Sequence, residues 1–188
     1  MRVPRLVIAV MIVVIAGIYG AADQYLGSRI GLGEWTVSVS QMSAPWLAIA
    51  FLAGCWPGRR VQAVAMGSLV TIAAVGGYLA MTLSPMEGVA VQSIHWGLEV
   101  RSQLHIFLPA LISGPAFGWL GGYWRATHSR LPGILMAAFF VLEPLVRSLD
   151  GQLIDSHSLA WPAEIALGTT LAVVLTRITR RPTSRIAS

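Results

Sequence analysis

The 188-residue chain is 55% hydrophobic and only 11% charged, with a net charge of +5, whereas soluble domains carry about 25% charged residues. Together with a mean hydropathy of +0.69, this excludes an ordinary water-soluble domain and leaves one membrane domain. All of its basic charge is arginine, set at the ends of apolar blocks rather than among aromatics, which argues against nucleic acid as a partner.

The first apolar block covers residues 6–22 and follows Arg2 and Arg5. Gly20 and Ala22 resemble a small-residue cleavage site, but the block is longer than the 7–15 residues of a signal-peptide core, so a retained helix is expected. Residues 23–34 read as a polar, glycine-bearing loop. Residues 35–56 begin polar (Ser38, Ser40, Gln41, Ser43) and become apolar after Pro45, which predicts a kinked or interrupted span whose polar half avoids lipid. A turn with Arg59 and Arg60 leads to a third block, 61–82. Residues 84–102 form a loop in which Val91, Ile94 and Leu98 have near-helical spacing, suiting an amphipathic interfacial helix. Further blocks cover 103–124, 131–149 and 159–178, and residues 179–188 form a basic tail. The expected architecture is therefore all-α: a polytopic transmembrane helix bundle of about six spans within a single domain, 1–178.

Alternating spans place Arg2, Arg5, Arg59, Arg60, Arg125, Arg130, Arg177, Arg180, Arg181 and Arg185 on one side and only Arg29 and Arg101 on the other. Positive charge concentrates on cytoplasmic loops, so both termini are expected in the cytoplasm of a cell whose inner membrane holds the protein. The acids Asp23, Glu34, Glu87, Glu99, Asp150 and Asp155 then fall outside.

Within the fifth block, Glu143 and Arg147 lie four residues apart and share a helix face. Pro144 deprives the Phe140 carbonyl of its usual donor. Glu164 enters the last block near its outer end, at a depth that would bring it beside Glu143 and Arg147, with His105 a further candidate member. Ionisable groups inside a membrane mark solute, ion or proton sites. The alternative is a structural ion pair with Arg147 reaching outward to the interface.

Gly114, Gly118 and Gly122 recur every four residues on the fourth block and form a packing seam, within the chain or against a partner. Pro109 and Pro115 should bend this helix. A single cysteine, Cys55, excludes an internal disulfide, and the histidine spacings offer no metal set. No nucleotide loop or nucleophile motif appears, so no cofactor is expected. A third reading, a membrane enzyme using Glu143 or Glu164 as general acid or base, has no nucleophile or metal set to support it.

The segments SAPWLAIAFLAG (43–54), GGYLA (76–80) and GPAFGWLGGYWR (114–125) resemble a family of small actinobacterial membrane proteins grouped as a domain of unknown function. The resemblance spans residues 40–150 and implies a multi-pass helical architecture without implying an activity. The family's asparagine-serine ahead of Pro-Trp is replaced here by the segment Ser40-Gln41-Met42-Ser43. Two functions are expected from the sequence. One is a small-solute-binding or transporter-associated subunit using Glu143, Arg147, Glu164 and His105. The other is an assembly protein that packs on another membrane subunit through the glycine seam.

Overall fold

The computed structural model describes residues 4–87, 101, 104–151 and 159–178. Among these residues the chain is all helical: α1 (Arg5–Ser28), α2 (Glu34–Ser40), α3 (Ala44–Cys55), α4 (Arg60–Thr82), α5 (Leu104–Thr127), α6 (Arg130–Leu149) and α7 (Ala160–Ile178). Short 3-10 turns lie at Ile30–Leu32 and Pro85–Glu87. By length and composition α1, α4 and α6 can each cross a membrane, and α3 is a shorter apolar helix. Two further helices, α5 and α7, run for 24 and 19 residues, about 36 and 28 Å at 1.5 Å per residue.

Small residues hold the bundle together. Between helices in lipid there is little hydrophobic driving force, so close backbone approach and dispersion must supply the attraction. A Cβ added at Gly20 would run into the backbone of Ala74, and one at Gly77 into that of Gly17. On the next contact, a Cβ at Gly114 would stand 2.5 Å from the Thr71 hydroxyl, and one at Gly118 2.5 Å from the Ala63 carbonyl oxygen. Gly54 meets the Gly118 backbone and Gly121 that of Phe51, so α5 lies against both α3 and α4. On α7, Gly168 packs against Ala137 and Phe140 of α6.

These pairings also give direction. Gly17 faces Ala73, and at the end of α1 the Ser28 hydroxyl donates at 2.7 Å to Glu87, just past the end of α4, so α1 and α4 run parallel. Thr71 meets Gly114 while Ala63 meets Gly118 and Gly122, making α4 and α5 antiparallel. Gly133 faces Leu175 and Gly168 faces Phe140, so α6 and α7 are antiparallel as well. Two buried clusters fill the interior. Ala16, Ala50, Ala53, Met66, Val70 and Ala74 join α1, α3 and α4, while Ala44, Phe51, Met136 and Phe140 join α3 to α6. The opposite faces carry exposed apolar side chains, such as Val10, Met11, Val14, Ile15 and Ile18 on α1.

One feature departs from the expectations above, and a second follows them in more detail. No glycine or proline interrupts Asp23 to Leu26, so α1 continues to Ser28, and Asp23 lies buried inside the helix rather than in a loop. The second block is interrupted as Pro45 predicts, into two helices, α2 and α3, separated at residues 41–43. Pro45 causes the break. It has no N–H to give the Gln41 carbonyl four residues earlier, and its ring would clash there. The expected interfacial helix falls mainly on residues 88–100, outside the described residues, as does the tail, 179–188.

Candidate functional site

The break between α2 and α3 leaves two kinds of bare backbone group: N–H donors at the start of α3 and a carbonyl at the end of α2. Ser43, the residue at the N-cap of α3, makes no side-chain capping bond. The cap comes instead from α6. Glu143 accepts the Ser43 N–H at 2.7 Å through Oε1 and 2.9 Å through Oε2, and the Ala44 N–H at 2.7 Å through Oε2. An anion is favoured there by the partial positive charge of the helix end.

Arg147 serves the other side of the break. Its Nη2 donates to the Gln41 carbonyl at 2.6 Å, the group that Pro45 leaves without a donor. The same guanidinium pairs with Glu143 Oε1, at 3.0 Å from Nε and 2.9 Å from Nη2. It also reaches the Ser43 hydroxyl at 3.4 Å. One ion pair thus closes both ends of the interruption, acid to donors and base to acceptor.

Glu164 adds a second carboxylate. It comes from α7, whose antiparallel packing on α6 brings it within hydrogen-bonding reach of Glu143 and into the field of Arg147. The side chain is 3% exposed, and among the described residues neither carboxylate oxygen has a donor. The Gln41 side-chain Oε1 is likewise buried without a partner. Burial deepens from exposed Ser43 through Arg147 (22%) and Glu143 (11%) to Glu164. The innermost part of the site is therefore a carboxylate without a donor.

A third acid stands on the α1 side. Asp23 is 5% exposed and lies within hydrogen-bonding reach of the indole N–H of Trp46 near the start of α3. Trp46 lies edge-on to Tyr19 at 5.6 Å and to Tyr78 at 6.3 Å between ring centroids. Tyr19 also lies near Glu143, so both acidic groups stand close to the start of α3.

Glu143, Arg147 and Glu164 therefore meet. The side chain of His105 lies outside the described residues. Gly114, Gly118 and Gly122 lie against Thr71, Ala63, Gly67 and Gly54 of the same chain, which occupies that seam internally. Among the described residues no cluster of histidine, cysteine and acidic groups could hold a metal ion. Sequence reasoning did not find the capping role of Glu143, nor Asp23, Trp46, Tyr19 and Tyr78. The signal for the second group was present: Tyr19 and Asp23 are four apart, on one face of a helix that no breaker stops. Comparison with known proteins finds no matching family model, no matching curated protein and no matching solved structure.

Proposed function

We propose that the chain is a multi-pass protein of the bacterial inner membrane that binds a small solute in the outer half of its helix bundle, as a membrane-embedded binding or transporter-associated subunit. Six crossing segments, counting α2 and α3 as one, put both termini in the cytoplasm with the arginine-rich ends. The observation that carries the reading is Glu164, a buried carboxylate with two unpartnered oxygens beside an interrupted span. Interrupted helices in membrane bundles often mark the place where substrates and coupling ions are held. An unmet acceptor pair suits a solute that brings hydrogen-bond donors, such as an ammonium or a polyol.

The test is thermal unfolding of detergent-solubilised protein against a panel of small amines, amino acids and polyols. At least one compound should raise the melting temperature of the wild type, and Glu164→Gln, still helical by circular dichroism, should lose that rise. A rise retained in Glu164→Gln, or none with any compound, overturns the proposal.

A further inference from the structure

Two largely buried carboxylates in hydrogen-bonding reach of each other, with one guanidinium to share, cannot both be ionised cheaply. Glu143 takes the guanidinium of Arg147 and two backbone N–H groups. Glu164 is left with no donor among its surroundings, and the polar group it faces is itself an anion offering only lone pairs. A single proton resolves the mismatch, since it turns a repulsive contact into a short, charge-assisted hydrogen bond.

We propose that Glu143 and Glu164 share one exchangeable proton, which makes the carboxyl pair a proton-binding site at the broken span. This rests on the reading of the Glu164 region as a functional site and names the proton as its ligand. The proton arrives on hydronium from the outer aqueous phase, by way of exposed Ser43 and Arg147, and leaves a water molecule behind. Its release returns it to water and leaves two carboxylates and one arginine in contact.

Among the described residues the charged and titratable surroundings are few. From α6, Glu164 faces Glu143 and Arg147. Residues 35–40 of α2, which also touches α7, carry no charge. Tyr19 and Asp23 of α1 lie beyond Glu143, near enough for Glu143 to act on Tyr19. Loss of the proton would set Glu164 against the carboxylate that caps α3, so proton binding and closure of the break are linked.

The test is infrared spectroscopy of the full chain in lipid nanodiscs. At neutral pH the wild type should show the carbonyl stretch of a protonated carboxylic acid. The band should move on 13C-labelling of glutamate, stay in Asp23→Asn and vanish in Glu164→Gln. Raising the pH should remove it with release of one proton per chain. Absence of a band that moves with glutamate labelling, a readout that needs no variant, overturns proton sharing. So does a labelled band that persists in folded Glu164→Gln. If the solute-dependent rise in melting temperature survives without the band, the solute site stands and the shared proton falls. The band without any such rise leaves the proton site standing alone.

Discussion

Glu143 closes the amino end of the helix that begins at Ala44, a residue 99 positions earlier in the chain, through a 2.7 Å hydrogen bond to its backbone N–H. The same carboxylate holds Arg147, which in turn holds the carbonyl of Gln41. Removing the acid therefore strips a cap and abandons a partly buried guanidinium together. Glu143→Gln should destabilise the protein by about 3 kcal/mol, the scale for breaking one side of a buried pair. In a double-mutant cycle with Arg147→Met, thermal unfolding should give a coupling of about 1–3 kcal/mol. Additive losses would mean that the two ends of the break are held independently.

The glycine contacts allow a paired comparison on neighbouring helices. Gly118→Ala puts a methyl group against the Ala63 carbonyl oxygen and 2.8 Å from Gly67 Cα, with only backbone to yield. Such overpacking costs about 1–3 kcal/mol. At Gly76 a Cβ meets nothing within 4 Å, and alanine there should stabilise α4 by about 0.5–1 kcal/mol through its helix propensity. Opposite shifts in melting temperature are the expected outcome. Shifts of the same sign would contradict the α4–α5 packing.

Trp46 tests the acid on the α1 side. Trp46→Phe keeps a ring against Tyr19 and Tyr78 but removes the donor within reach of Asp23. A buried carboxylate left without it should cost about 1–3 kcal/mol. The same substitution in an Asp23→Asn background should cost less, since an amide is cheaper to leave unpaired than a carboxylate. Equal losses in both backgrounds would assign the effect to ring packing alone.

Threading is checked with cysteines at two open positions. With Cys55→Ser as background, Gly31→Cys and Gly58→Cys each add a side chain where nothing lies within 4 Å. In intact spheroplasts a membrane-impermeant maleimide should label Gly31→Cys and spare Gly58→Cys until the membrane is opened. The reverse pattern would invert the proposed topology.

Much of this architecture is written in local pattern. The blocks at 61–82 and 131–149 became α4 and α6 with ends shifted by one residue or none, because long apolar runs bounded by turns leave few alternatives. Glu143 and Arg147 are partners in one helix, and spacing alone shows that. What spacing cannot show is a contact between distant segments. Nothing near Ser43 announces that its N–H will meet a carboxylate from α6, although the break itself, just ahead of Pro45, follows from the proline acting on Gln41, four residues back. Asp23 was misread for a different reason: a charged residue beside small ones looks like a loop until a tryptophan from elsewhere comes within reach of it.

The parts that close the break between α2 and α3 are made in an inconvenient order. At about 5–20 residues per second, the 99 residues between Ala44 and Glu143 take roughly 5–20 s to synthesise. Throughout that interval the start of α3 and the Gln41 carbonyl lack their permanent partners. Arrival of α6 is thus a completion signal. Until it comes the break between α2 and α3 keeps raw ends, and a chain truncated ahead of α6 would present that defect to quality-control proteases.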